Sequence, residues 1–236
     1  MAGIVEIENL TKDYGTGEII VHALRGITLT IKAGEFAAMA GPSGSGKSTL
    51  LNIIGGLDTP TGGSVTIEGT DVARLSDAQR SRLRRDQIGF VFQSYNLIPV
   101  LTALENAEYI LMLQGAPIKE RHERVRALLK DVGLEGMEDR FPNQLSGGQQ
   151  QRVAIARAIA SEPALVLADE PTANVDSKTG AALLELMHEL HENKGVTFLF
   201  STHDQMVMER AERLLLLRDG QIEADGPPSE ILHKAS

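Results

Sequence analysis

The 236-residue sequence contains no cysteine, which excludes disulfides, thiolate chemistry and Cys-based zinc sites and is compatible with a reducing compartment. It also lacks a basic excess: 23 Lys and Arg stand against 32 Asp and Glu, for a formal net charge of −9. Neutralising a nucleic-acid backbone needs the opposite balance, so no nucleic-acid partner is expected. No stretch approaches the ~20 consecutive apolar residues of a membrane-spanning helix. Residues 1–6 have neither the basic nor the apolar region of a signal peptide. A soluble cytoplasmic chain is therefore expected, one that reaches a membrane only by docking on another protein. Internal repeats and low-complexity linkers are missing too. With 42% hydrophobic and 23% charged residues, one globular domain is expected, with room for an inserted lobe.

Short alternations of apolar and polar residues at 4–10, and again at Ile27, Leu29 and Ile31, read as half-buried strands of a small antiparallel sheet. Residues 36–40 form a short apolar strand, a Gly-rich turn follows, and the apolar-rich residues 50–54 suit a helix. Ser76 with Gln79, and Thr102 with Glu105, match the capping box that opens a helix. Residues 101–160 read as mainly helical, bracketed by strands at 88–92 and 164–168. Leu165-Val166-Leu167-Ala168 and residues 196–200 lack polar alternation, as do strands covered on both faces of a parallel sheet. Asp176 can cap a helix running to His191, the crossover that parallel strands require. Residues 214–217, the turn Asp219-Gly220 and residues 221–224 read as a hairpin. The expected fold class is α/β: a mostly parallel sheet, an N-terminal antiparallel β subdomain and an inserted α-helical subdomain. The core lobe is expected over residues 1–93 and 161–236, and the helical lobe over 94–160.

Gly41-Pro42-Ser43-Gly44-Ser45-Gly46-Lys47-Ser48 fits the pattern G-x-x-x-x-G-K-S/T, with the strand before it and the helix after it that this pattern requires. At ordinary residue frequencies the four fixed positions coincide by chance in roughly one such chain per hundred. Glycines let the backbone wrap a triphosphate, successive N–H groups and the helix start face the anion, and Lys47 adds a full positive charge. Ser48 suits Mg²⁺, and Thr49 is placed for the α-phosphate. Asp169 and Glu170 end an apolar strand, so two carboxylates reach the sheet edge where open α/β folds bind ligands. Asp169 suits Mg²⁺, directly or through water. Glu170 suits the general base that polarises an attacking water. Together these features describe a P-loop nucleoside triphosphatase core.

Leu145-Ser146-Gly147-Gly148-Gln149, continued by Gln150-Gln151-Arg152, resembles the signature sequence of ABC transporter ATP-binding domains. Two glycines and a serine at a helix start form a second anion site. The resemblance implies that its phosphate belongs to another copy. ATP would be clamped between the phosphate loop of one domain and Ser146, Gly147, Gly148 and Gln149 of the other, the two facing head to tail. The likeness covers nearly the whole chain. Tyr14, in Lys12-Asp13-Tyr14-Gly15, resembles the aromatic residue that stacks on adenine. Gln93, closing Phe90-Val91-Phe92-Gln93, resembles the glutamine that senses Mg²⁺ and the attacking water and hinges the helical lobe. Asp176, in Ala173-Asn174-Val175-Asp176, resembles the loop that crosses to the partner, helix capping being an equally good reason for it. The family usually has Leu where Val175 stands. His203, after the strand over 198–202, resembles the switch histidine that touches the γ-phosphate.

Residues 94–115 and the segment before Gln93 are most similar to the ATPases of lipoprotein-release, macrolide-export and cell-division complexes. The resemblance implies an ATPase using ATP and Mg²⁺ and a homodimer of nucleotide-binding domains. It also implies integral membrane permease subunits as partners and a peripheral place on the cytoplasmic face of the cell membrane. The alternative is a soluble ABC ATPase acting on nucleic acid or ribosomes, but those relatives usually carry coiled-coil insertions or two tandem cassettes. A small-molecule kinase would leave residues 145–149 unexplained. Arg80, Arg82, Arg84 and Arg85 form a local basic cluster, suited to a partner or to a solvated helix face.

Overall fold

The computed structural model describes residues 3–15 and 19–233, so residues 1–2 of the chain start and the outermost end of the expected core lobe lie outside the described residues. In chain order the elements are β1 (Val5–Tyr14), β2 (Val21–Ile31), β3 (Phe36–Ala40), α1 (Lys47–Ile54), β4 (Gly62–Ile67), β5 (Thr70–Asp71), α2 (Asp77–Gln87) and β6 (Ile88–Val91). They continue with α3 (Ala103–Leu113), α4 (Ile118–Asp131), α5 (Gly147–Ile159), β7 (Leu165–Asp169) and α6 (Ser177–Lys194). The last are β8 (Phe198–Thr202), α7 (Gln205–Arg210), β9 (Arg213–Arg218), β10 (Gln221–Gly226) and α8 (Pro228–Leu232). Two compact units result, one from the described residues of Met1–Arg84 and Thr197–Ser236, the other from Arg85–Val196.

The first unit holds the antiparallel sheet β2-β1-β4-β5. Val5 pairs with Ile31 and Ile7 with Leu29, which puts apolar residues opposite one another on a buried face. The next buried residue is Leu10, paired with Ile27 after a register shift. Asn9, at φ 46, takes up the extra residue. A bulge there restores the inward face that strict alternation would have lost. β4, which pairs with β1 through Val65 and Ile67, has no counterpart in the sequence reading, because its Gly62-Gly63-Ser64 start hides the alternation.

The same unit places β3 between two parallel neighbours, β8 and β9. All five residues of β3 are buried, as a strand covered on both faces must be. Phe36 meets Phe198 edge-on at 5.6 Å and Phe200 at 4.8 Å between ring centroids. β9 and β10 form the expected hairpin, with Asp219 at φ 48 and Gly220 at φ 77. Both central residues are left-handed, as a tight turn matching strand twist requires. Three of the four arginines of the basic cluster, Arg80, Arg84 and Arg85, have local partners. Arg80 pairs with Asp77, Arg84 donates to the Gly56 carbonyl at 2.7 Å, and Arg85, in the second unit, pairs with Asp86.

In the second unit β6 and β7 run parallel, and α3, α4 and α5 pack on one another. α3 opens on the expected capping box: the Glu105 amide donates to Thr102 Oγ1 at 3.2 Å and the Thr102 amide to Glu105 Oε2 at 2.8 Å. The fully buried Asn106 fixes the segment before it. Its Nδ2 donates to the carbonyls of Ile98, Leu101 and Thr102, and its Oδ1 accepts from the Ile98 amide. Among the described residues, no helix is long and apolar enough to cross a membrane.

Urea unfolding of Phe36→Ala should show a loss of about 3–5 kcal/mol, the range for truncating a buried aromatic. Thr102→Ala should lose only about 1 kcal/mol, the worth of one helix cap; equal losses would contradict this account of the core.

Candidate functional site

The apolar β3 delivers the chain into the Gly41–Gly46 loop, and α1 begins at Lys47. Two glycines in the loop are obligatory. A Cβ on Gly41 would lie 2.1 Å from the Leu217 carbonyl oxygen, and one on Gly46, at φ 103, would lie 2.7 Å from that of Ala23. The loop is thus wedged between β2 and the β9–β10 hairpin. The Gly220 amide donates to the Ser45 carbonyl at 3.1 Å, while the Gly220 carbonyl accepts from the Arg25 amide at 2.8 Å. Ser45 is buried, whereas Pro42, Ser43, Gly44 and Ser48 are exposed.

No side chain caps α1, and its first turn holds no acid. The amides of Lys47, Ser48 and Thr49 therefore keep their donors for an anion, with the positive end of the helix dipole behind them. Lys47 Nζ donates to the Gly41 carbonyl at 2.7 Å and the Pro42 carbonyl at 3.1 Å. An ammonium has three N–H donors, so one remains after the loop is braced.

Tyr14 ends β1 and is 42% exposed. Its hydroxyl donates to Asp58 Oδ2 at 2.7 Å and is also in hydrogen-bond contact with Thr49, so two expected nucleotide-site residues meet. Lys12 Nζ lies 4.8 Å from the ring centroid and 2.6 Å from Asp58 Oδ1. Burial and the bond to Asp58 raise the Tyr14 pKa. For Asp58, burial alone would raise the pKa, but bonds from Lys12, Tyr14 and the Thr59 amide outweigh it and hold the carboxyl below its ordinary range.

His203 leaves β8 beside the start of the phosphate loop, because Ala40 pairs with Thr202 in parallel register. Thr202 Oγ1 accepts from the Asp204 amide at 2.9 Å, and Asp204 in turn caps α7. His203 itself is exposed.

The second unit carries the remaining expected residues. Val91 pairs with Ala168 in parallel register, so Gln93 and the Asp169-Glu170 pair leave neighbouring strand ends. Glu170 has φ 45, a left-handed conformation that a residue with a side chain adopts at some energetic cost. Asn174 Nδ2 donates to the Gln93 carbonyl at 2.9 Å. The loop after Glu170 is held by Gln151, whose buried Nε2 donates to the Pro171 carbonyl at 2.7 Å.

Ser146 caps α5 through a box that sequence reading passed over, although Ser146-x-x-Gln149 has the required spacing. The Gln149 amide donates to Ser146 Oγ at 3.3 Å and the Ser146 amide to Gln149 Oε1 at 2.8 Å. Asp176 caps α6, accepting from the Lys178 and Thr179 amides and from Thr179 Oγ1 at 2.6 Å. The Thr179 hydroxyl is the main cause of the lowered Asp176 pKa. A Cβ on Gly148 would lie 2.4 Å from Thr179 Cγ2, so the start of α5 and the Asp176 cap are packed together.

A family model described as ABC transporter matches residues 24–173. The lipoprotein-releasing system ATP-binding protein LolD of Anaeromyxobacter dehalogenans is 50% identical, over 94% of this chain and 94% of that protein. The macrolide export ATP-binding/permease protein MacB of Brucella melitensis is 49% identical over 98% of this chain, which spans only 36% of that longer protein. Among solved structures, a dimeric post-hydrolysis state of the ATP-binding cassette MJ0796 bound to ADP and Pi superposes with a TM-score of 0.86. That Methanocaldococcus jannaschii cassette is 49% identical, and the match covers 95% of this chain and 98% of the other.

Calorimetry of Lys47→Ala should show ATP affinity reduced at least roughly tenfold, the worth of one charge-assisted bond to phosphate. Unchanged binding would contradict the assignment of the loop.

Proposed function

Because the chain belongs to the ABC transporter family and is an ATP-binding, ATP-hydrolysing subunit of that kind, we propose that two copies close head to tail around two ATP molecules and drive separate membrane permease subunits. One observation carries the reading: a single chain presents two unlike helix starts, each with the chemistry to receive an anion. α1 offers uncapped amides and a lysine, and α5 offers Ser146 with two glycines behind it. A head-to-tail pair, with its twofold symmetry, brings each to the other twice. The dimeric state of the MJ0796 cassette and the joint ATP-binding/permease name of MacB support this.

In this proposal Gly41, Pro42, Ser43, Gly44, Ser45 and Gly46 wrap the phosphates with Lys47, Ser48 and Thr49, and Tyr14 stacks on adenine. Ser146, Gly147, Gly148 and Gln149 face the partner's ATP. The Ser146 hydroxyl accepts from the Gln149 amide and keeps its own proton to donate to a phosphate oxygen. Ser48, Gln93 and Asp169 offer a hydroxyl, an amide oxygen and a carboxylate, a donor set of oxygens that suits a hard cation, and these residues would hold Mg²⁺. The ion, when bound, supplies neutralising charge at the phosphates. Glu170 takes a proton from the attacking water, and His203 donates to the γ-phosphate. Asp176 reaches toward the partner while its carboxylate keeps α6 capped.

Motion then passes from the core lobe, residues 1–93 and 161–236, through the helical lobe, residues 94–160. Tyr109, Met112 and Leu113, 36%, 44% and 48% exposed, share one face of α3 by their spacing and suit docking on a membrane subunit. Such docking places the chain on the cytoplasmic face of the membrane.

Glu170→Gln should bind ATP, stop turnover and run as a dimer by light scattering in ATP. Adding Ser146→Arg to that variant should leave nucleotide binding intact and return the mass to a monomer. Normal turnover in the first variant would remove Glu170 as the base, and a persistent dimer in the second would sink the shared site.

A further inference from the structure

Gln93 is followed by Ser94-Tyr95-Asn96, and the backbone there departs from ordinary geometry. Tyr95 has φ 52 and Asn96 φ 50, two consecutive non-glycine residues in the left-handed region, which persist only where the surroundings over-determine them. The Asn96 amide donates back to the Ser94 carbonyl, closing a three-residue turn around Tyr95 of the rarer, strained hand. Neither glycine nor proline in the sequence asks for this conformation, so contacts must hold it.

Arg157 supplies one such contact. Its Nη1 donates to the Asn96 carbonyl at 2.6 Å and its Nη2 to the Tyr95 carbonyl at 2.9 Å. A planar guanidinium can fork across two carbonyls that face the same way, and only the turned backbone brings these two together. Arg157 is a residue of α5, so the fork fastens the Gln93 segment to the helix that begins beside Ser146.

Tyr95 supplies the second contact. Its hydroxyl donates to the Asn174 carbonyl at 3.0 Å, and Asn174 Nδ2 donates to the Gln93 carbonyl at 2.9 Å. Two hydrogen bonds thus close a ring between the Gln93 segment and the segment leading to Asp176. The ring also abuts the third loop, since a Cβ on Gly147 would lie 2.7 Å from the Tyr95 hydroxyl. That hydroxyl is where the Gln93, Gly147 and Asp176 loops converge.

We propose that Tyr95, Asn174 and Arg157 are positioning residues for hydrolysis, holding the Gln93 segment in its left-handed form and registering it against the Gly147 and Asp176 loops. The inference rests on the role proposed for Gln93. A side chain placed by a strained turn keeps its aim only while the turn is clamped, so loosening the clamp lowers turnover and leaves the phosphate loop's grip on ATP unchanged.

Steady-state ATPase assays and ATP calorimetry on the full chain test this. Tyr95→Phe keeps the ring and removes only the hydroxyl; kcat should fall roughly 3- to 10-fold, the effect of one lost neutral hydrogen bond, with KM and the calorimetric Kd unchanged. Gly147→Ala should be impaired by collision with the hydroxyl, and combining it with Tyr95→Phe should restore part of its activity, a rescue that general destabilisation does not produce. A wild-type kcat in Tyr95→Phe, an unimpaired Gly147→Ala, or a double variant no better than Gly147→Ala would overturn the proposal. Gln93→Ala separates the two levels: if it hydrolyses ATP normally, the role of Gln93 falls and this inference with it, whereas a dead Gln93→Ala beside a fully active Tyr95→Phe refutes the positioning ring alone.

Discussion

A triphosphate carries several negative charges, and a chain of net charge −9 can hold one only where its backbone presents donors that nothing else has claimed. The start of α1 meets that requirement: no side chain caps it, no acid lies in its first turn, and Lys47 braces the loop while retaining a donor. The loop's shape depends in turn on tertiary neighbours. Leu217 of β9 fills the space where a side chain on Gly41 would otherwise stand, and β2 with Gly220 fills that of Gly46. The buried strand β3, pinned by its phenylalanine neighbours, fixes where the loop begins.

The second unit is organised by a different device. Helix α5 sends out polar side chains that take the carbonyls of the surrounding loops. Gln150 donates to Leu145, Gln151 to Pro171, Arg152 to Val132, and Arg157 to Tyr95 and Asn96. Loops outside a helix or ladder leave main-chain carbonyls in need of donors, and long amide and guanidinium side chains reach them from a rigid base. Three of the four non-glycine residues at positive φ among the described residues of this unit, Tyr95, Asn96 and Glu170 at φ 52, 50 and 45, lie beside carbonyls held in this way, whereas Glu162 at φ 51 does not. At Tyr95, Asn96 and Glu170 the strain thus coincides with clamped loops, as a site that must hold one geometry requires.

Legibility differed from element to element for identifiable reasons. The strand over 36–40 was read at its true bounds because a buried strand flanked by glycine leaves a plain apolar run. The helix after Asp176 was read three residues short of Lys194, since the solvated last turn of α6 carries no apolar marker before Gly195 ends it. β4 was missed where glycines broke the alternation. The Ser146–Gln149 capping box was written in the spacing and passed over, because the glycines between drew the reading toward an anion site. The phosphate loop, the Asp169-Glu170 pair and the signature loop were legible because their chemistry constrains side-chain type at fixed separations.

The sequence by itself determined the α/β class and the family, and it named the residues proposed to bind phosphate, since glycine, lysine, serine and carboxylate at set spacings are local requirements of chemistry. Only the tertiary structure decided how the loops are held: that Tyr95 meets Asn174, that Arg157 forks across Tyr95 and Asn96, and that Gly220 carries Ser45. The physical reason is that these contacts end on main-chain carbonyls and amides. Every residue type carries such groups, so no pattern of letters marks which one a distant side chain will take.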